Sequence, residues 1–197
     1  MTQLAVTVLA ISLTSAVVEA TEFELLPYSS NGYAFSSVRY DGLSEFSEDD
    51  FDYSFFPTGK MPFGTAFGCA LNVDGSLTPN QYCPIQTDIL VARPFYLVAG
   101  ISDVRIFAAA DDRVQVFFNE VDVSGGMRVH DNCPELDSLA FNVPNSILRF
   151  YPEVNHIKIR ARDLGGASYI NIRILGTAAG KAMISQQRAL SGQLILP

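Results

Sequence analysis

From residue 88 onward, apolar and polar residues alternate in short runs with the two-residue period of β-strands. Strands are predicted over 88–97, 103–109, 113–123, 138–143, Asn155–Arg162 and 168–175. These runs are rich in β-branched and aromatic side chains, and turn residues separate them: Ala99-Gly100, Ser124-Gly125-Gly126, Pro144-Asn145 and Gly165-Gly166. Val114, Val116 and Phe118 face one way, as do Val121 and Val123 after a change of register at Asn119-Glu120. His156, Lys158, Arg160 and Arg162 alternate with Ile157, Ile159 and Ala161, which predicts one wet face and one buried face. Strands at this spacing predict an antiparallel sandwich or barrel. No repeat of 20–50 residues is visible.

The first half is less regular. Residues 4–18 are apolar, and Leu4, Val6 and Val8 alternate as a half-buried strand would. The run ends in Val18-Glu19-Ala20, a small-residue pattern compatible with signal-peptide cleavage, but the first ten residues carry no Lys or Arg. At about 15 residues it is short for a membrane span. It reads as a retained first strand, with a secretory signal peptide as the alternative. Residues 41–56 hold six acids (Asp41, Glu45, Glu48, Asp49, Asp50, Asp52) and no base, interleaved with Phe46, Phe51, Tyr53, Phe55 and Phe56. The stretch lacks the Asp-x-Asp-x-Asp-Gly order of a calcium loop, so its aromatics are expected to fold inward over the sandwich. Residues 57–84 are too rich in Gly and Pro for long elements. The tail over 181–190 is expected to be an exposed arm of a helical turn or two.

Composition narrows the function classes. The chain has 197 residues, 48% of them apolar, which suits one domain with a packed core. Thirteen Lys+Arg against 21 Asp+Glu give a net charge of −8, so neither nucleic acid nor an anionic bilayer is an expected partner. Two histidines and three cysteines leave little material for a zinc site.

Four segments carry a resemblance. Phe51-Asp52-Tyr53-Ser54-Phe55-Phe56-Pro57-Thr58-Gly59 is similar to the Phe-Asp-Asp-Ser-x-Trp-x-x-Gly segment of galactose-binding-like jelly-roll domains, which accompany many glycosidases and surface proteins. Thr87 to Phe95, closing on Arg93-Pro94-Phe95, resembles the following strand. Val114 to Val123 resembles a strand, Asn-Gly, strand hairpin, and Asn155 to Ile174 the closing hairpin with its turn at Arg162-Asp163-Leu164-Gly165-Gly166. The set covers about two-thirds of the chain in the family's order. Glu120 stands where the family has Gly, which makes a turn with positive φ at both centres less comfortable. Phe56 stands where the family has Trp, and the chain has no Trp at all. Tyr28, Tyr33, Tyr40, Tyr53, Tyr82, Tyr96, Tyr151 and Tyr169 remain as sugar-stacking platforms. The resemblance implies an all-β, antiparallel jelly-roll sandwich over 28–176, with short arms at 1–27 and 177–197.

Asp111-Asp112, between two predicted strands, looks like the Asp pair of protective-antigen-type lectin domains, where it binds calcium that orients sugar hydroxyls. Hard oxygen ligands at a loop tip suit that ion, and a solvated turn is the plainer reading. Asn119, Asp131 and Asn132 would supply further oxygens for a glycan if the fold brings them near. His130-Asp131-Asn132-Cys133 offers a Cys/His pair, but sequence neighbours are rarely catalytic partners. Cys133 is expected to pair with Cys69 or Cys83, or Cys69 with Cys83, leaving one thiol over; three free buried cysteines would suit a cytoplasmic assembly. No residue pattern picks out a hydrolase pair of carboxylates.

The expected function is therefore non-enzymatic: a virion surface component, a bacteriophage minor tail protein that contacts other tail subunits or copies of itself and touches host-cell glycans. The alternative is an exported, extracellular carbohydrate-binding module, with calcium as an optional aid. Neither reading includes membrane insertion.

Overall fold

The computed structural model describes residues 19–48, 50–65, 86–130, 133–165 and 168–193. The expected strand over 4–18 lies outside them. The elements are β1 (Ala20–Leu26), β2 (Tyr33–Arg39), β3 (Thr58–Gly59), β4 (Phe63–Thr65), β5 (Thr87–Phe95) and β6 (Ile101–Asp111). They continue with β7 (Arg113–Phe118), β8 (Val121–Asp122), β9 (Arg128–Val129), β10 (Leu139–Asn142), β11 (Asn155–Arg162), β12 (Ser168–Ala179) and α1 (Lys181–Gln193).

Two antiparallel sheets face each other. One has the order β1-β12-β6-β10 with β4 also on β12; the other has the order β3-β2-β5-β11-β7-β8 with β9 also on β7. The all-β sandwich expected from the alternation is the fold observed. The two-residue period explains why: Ile106, Ala108 and Ala110 of β6 and Ile170, Ile172 and Ile174 of β12 all face the core. They meet Ile89 and Val91 of β5 and Ile157 and Ile159 of β11 across the layer. Residues 20–26, expected as part of an arm, form a strand paired with β12 from Ala20↔Ala179 to Leu26↔Ile174. Phe23, Leu25 and Leu26 place this strand in the core, so it belongs to the sandwich.

Two expectations about surface are corrected. The face bearing Lys158 and Arg160 is not wet, because residues 41–56 lie across it. Phe46, in a 3-10 turn over Ser44–Ser47, and Phe56 form a second apolar layer with Ala34, Leu90 and Ala92. Lys158 is 1% exposed. Its Nζ donates to the Glu48 carbonyl and lies 5.9–6.0 Å from the Phe46, Phe51 and Tyr53 rings. Arg160 donates to Asp88 Oδ2 at 2.9 Å and to the Gly42 and Leu43 carbonyls. Long stems bury in the apolar layer while the charged heads find oxygens at its margin. Val121, expected on the buried face, is 40% exposed at the end of the sheet.

The C-terminal tail is not an exposed arm either. Gly180, at φ +86°, turns the chain out of β12 and α1 folds back. Met183 and Ile184 pack on the core, and Gln187 is 2% exposed. The Gln187 amide donates to the Tyr96 carbonyl at 2.8 Å and accepts from Val98 N–H at 2.9 Å, supplying the backbone partners that the chain after β5 lacks. No helix of the described residues is long and apolar enough to cross a membrane.

Candidate functional site

Two places at opposite ends of β11 combine exposed or perturbed groups with a concavity. At the Arg162 end, the link from β6 to β7 places Asp111 and Asp112, and the turn after β11 places Asp163. Their backbones are tied: Asp112 N–H donates to the Arg162 carbonyl at 3.3 Å, and Leu164 N–H donates to Asp112 Oδ2 at 2.6 Å. Tyr40 donates its hydroxyl to the Asp163 carbonyl. Asp111 pairs with Tyr169 across the sheet, and Tyr169 pairs with Gly64 on its other side. A Cβ on Gly64 would sit 2.1 Å from the Ser168 carbonyl, so this close approach of β4 to β12 admits only glycine.

The small cleft between these elements is lined by Asp111, Asp163, Arg162, Ser168, Tyr169 and Gly64 among others, and measures about 10 Å³. That is room for one water and far too little for a sugar ring. Burial pushes the Asp111 carboxyl up to about 7, helped by its bond to Asp112 and by the charges of Asp112 and Asp163. Asp163 is also raised, by burial first and by the Asp112 charge, while Gly165 N–H pulls the other way. Asp163 Oδ2 is buried without a hydrogen-bond partner. Arg162, although adjacent, is spent elsewhere: it donates to Asp88 at 2.7 and 2.9 Å and to Asp41 at 2.5 Å, and lies 4.5 Å from the Tyr40 ring centre.

The structure gathers only part of the predicted oxygen set here. Asp111 and Asp112 stand together, and His130 N–H donates to the Asp112 carbonyl at 2.7 Å, so the chain reaches this pair just before residue 131. Asp131 and Asn132 themselves lie outside the described residues. Asn119 is at the far end of β7, about 20 Å from Asp112 at the usual strand rise. Its amide is committed to Asn155 Oδ1, the Ile147 carbonyl and His156 N–H. Among the described residues no group of three or more His, Cys, Asp or Glu is arranged to hold a metal ion. Cys133 is disulfide-bonded; the chain's other cysteines, Cys69 and Cys83, lie outside the described residues. Asp163 was not singled out from sequence; its place in the Arg162-Asp163-Leu164-Gly165 turn was the available signal.

At the Asn155 end of β11 lies a groove of about 290 Å³, lined by Val98, Tyr151, Gln186, Ala189 and Leu190. Tyr151 is 61% exposed. Its ring is held edge-on against Tyr96, with centroids 5.7 Å apart at 73°. Tyr151 N–H donates to the Leu97 carbonyl at 2.7 Å, which fixes the loop under the ring. The opposite wall is the face of α1 carrying Gln186, Ala189 and Leu190 at helical spacing. Of the other tyrosines proposed as platforms, Tyr33 and Tyr169 are buried, Tyr28, Tyr40, Tyr53 and Tyr96 are half-buried, and Tyr82 lies outside the described residues.

No protein-family model matches the chain, and no curated protein sequence matches it. Solved structures do. A Bacteroides uniformis β-glucuronidase superimposes with a TM-score of 0.54 and 11% identity, over 80% of this chain and 18% of that one. The B. uniformis β-glucuronidase 2 bound covalently to a cyclophellitol-6-carboxylate aziridine gives 0.52 and 11%, with the same coverage. This chain therefore spans less than a fifth of the length of each of these enzymes. At this identity what is shared is the fold, an antiparallel β-sandwich that also forms part of larger glycosidase chains.

Proposed function

We propose that the protein is a non-catalytic, carbohydrate-binding β-sandwich that takes a sugar ring in the Tyr151 groove. The observation that supports this best is the exposed Tyr151 ring itself. An aromatic face left 61% open, braced edge-on by Tyr96 and faced by the Gln186 amide, offers what a pyranose needs. Its C–H face packs on the ring and an amide bonds its hydroxyls. The groove matches one sugar ring in size, whereas the acidic cleft does not. Calcium has no part in this reading, because the groove residues offer no carboxylate. The test is binding of the intact protein to a glycan array, repeated with Tyr151→Ala. Array signals lost in the variant support the assignment, and an unchanged pattern, or no binding by the native protein, refutes it.

The finer setting is a virion surface, as a tail component, with an exported binding module as the alternative. The exposed apolar side chains that subunit contacts would cover are Phe55 at 69%, Val129 at 48% and Leu164 at 46%. Stoichiometric recovery of the native protein with purified virions supports this setting. Recovery as free monomer from the culture medium overturns it.

A further inference from the structure

We infer that the groove between the start of β6 and the end of β10 is a second binding site, one that holds the paired hydroxyls of a neutral sugar without stacking its ring. The groove measures about 290 Å³ and is lined by Asp103, Val104, Arg105, Asn142, Val143 and Asn145. Val104 and Val143 are core residues, and Val143 N–H donates to the Val104 carbonyl at 2.9 Å, so the floor is satisfied backbone. The four polar side chains stand around it. Arg105 and Asn142 are directly opposed across the β6–β10 ladder. Asp103 arrives by an irregularity: between the pairs Ser102↔Thr177 and Arg105↔Leu175, β6 carries one more residue than β12. This is a β-bulge, which re-aims a side chain, and Asp103 sits in it at φ +50°. Glycine would hold that backbone without strain, so what the position gains from aspartate is the carboxylate at the rim of the groove.

The hydrogen bonds already made define what a ligand must supply. Asp103 N–H donates to Asn145 Oδ1 at 3.2 Å, at the head of the 3-10 turn over Asn145–Ile147. That bond fixes the Asn145 amide with its oxygen engaged and its two N–H donors left over. Asp103 Oδ2 accepts from Ser102 Oγ at 2.9 Å, which leaves Oδ1 with no partner among the described residues. Arg105 pairs with Glu22 through Nη2 and keeps further donors of its five. An acceptor-only carboxylate therefore faces amide and guanidinium donors across one small space. A hydroxyl donates and accepts at the same atom, so two on adjacent carbons answer both sides. An anion would meet the charges of Asp103 and Glu22, and a cation that of Arg105, which leaves a neutral polyol as the fit. No aromatic ring is among the lining residues, so this site is independent of the Tyr151 groove and stands or falls apart from it.

The test is proton–nitrogen correlation NMR of the full chain, which observes the Asn142 and Asn145 side-chain amides directly. D-glucose, D-galactose and D-mannose are titrated separately, with ethanol as a comparison that carries a single hydroxyl. At least one sugar is expected to shift both amides along a saturating curve, and the same curve should persist in Tyr151→Ala. Asp103→Gly removes the carboxylate while relieving the backbone at φ +50°, so it folds at least as well as the native chain. It should weaken the sugar about tenfold, the loss of a hydrogen bond to a charged group. No saturable shift with any of these sugars overturns the inference, as does an equal curve in Asp103→Gly. Shifts that vanish in Tyr151→Ala place the sugar in the other groove and overturn this site. Ethanol binding as tightly as the sugar overturns the assignment to paired hydroxyls.

Discussion

Replacing Asp111 with asparagine should stabilise the protein near neutral pH and flatten its pH dependence. Asp111 is 9% exposed and its carboxyl titrates near 7, raised by burial, by its bond to Asp112 and by two neighbouring carboxylates. In the unfolded chain the same group titrates at an ordinary 3.8. The folded protein therefore binds the extra proton. The stability this contributes is complete below about pH 4 and is lost as pH rises through 7. A displacement of three units is worth about 4 kcal/mol at 1.4 kcal/mol per unit. Asparagine keeps a donor toward Asp112 and never ionises, so Asp111→Asn should gain about 2 to 4 kcal/mol over the native protein at about pH 7.5. At about pH 5 the gain should be smaller by about 2.5 kcal/mol, and it should vanish only near pH 4. Urea unfolding of both proteins at the two pH values measures this directly. Equal loss of stability in native protein and variant between about pH 5 and 7.5 would refute the claim that the fold holds this acid protonated.

Other perturbations separate further parts of the argument. Glu120→Gly should stabilise by about 0.5 to 1 kcal/mol, because Glu120 is held at φ +69° where a side chain costs 1 to 2 kcal/mol and glycine gives part of that back as entropy; a chemical melt showing destabilisation contradicts it. Asp88→Asn should cost about 3 to 5 kcal/mol, since it leaves Arg160 and Arg162 without their shared carboxylate, and the native carboxyl, held low by those arginines against its own burial, should keep this contribution down to pH 4. Gly100→Ala should release α1, because its Cβ would meet Met183 Cε at 2.6 Å on a backbone at φ +90°; faster amide exchange in α1 with the strands unchanged is the expected result, and unchanged exchange would show that the helix is held by other contacts.

Alternation made the sandwich legible because each strand of the core obeys it with few exceptions. β11 appears in the sequence at its true bounds, and β5, β6 and β12 are displaced by a residue or two or extended at their ends. The errors at Lys158, Arg160 and Gln187 have one source, which is contact with distant segments, whereas Val121 is exposed because its strand ends the sheet. The same alternation that marks Ile157 and Ile159 as buried marks Lys158 and Arg160 as wet, and nothing local reveals that residues 41–56 lie over them. The aromatics of that stretch were the hint: Phe46 and Phe56 are buried and Phe51 and Tyr53 pack against them, while Phe55 turns outward at 69% exposure. Gln187 misleads for a related reason. An amide in a polar tail looks solvated, yet its two polar atoms are what the backbone at Tyr96 and Val98 requires. At the candidate sites, Asp111-Asp112 and Tyr151 were visible by residue type, but their partners Asp163 and Gln186 come from other strands and from α1 and needed the fold.

Coverage also decides where binding can occur. One outer face of the sandwich is sealed by residues 41–56, whose aromatics and carbonyls consume its cations. On the opposite outer face the cations are paired at the surface: Arg173 with Asp137, Arg105 with Glu22, and both guanidiniums over Phe107. Concavities remain beside Glu48, Asp50 and Glu120 and along Asp103, Arg105 and Asn145, and the two ends of β11 differ from each other in character. The Arg162 end gathers Asp111, Asp112 and Asp163 around a space for a single water and repels anions. The Asn155 end offers an open ring at Tyr151 faced by Gln186 of α1. A neutral ligand the size of a sugar ring is thus directed to the Tyr151 groove, since the cleft at the Arg162 end holds only a water. In a chain of net charge −8 that selection operates locally, through an aromatic face and an amide rather than through charge, so it should be insensitive to ionic strength.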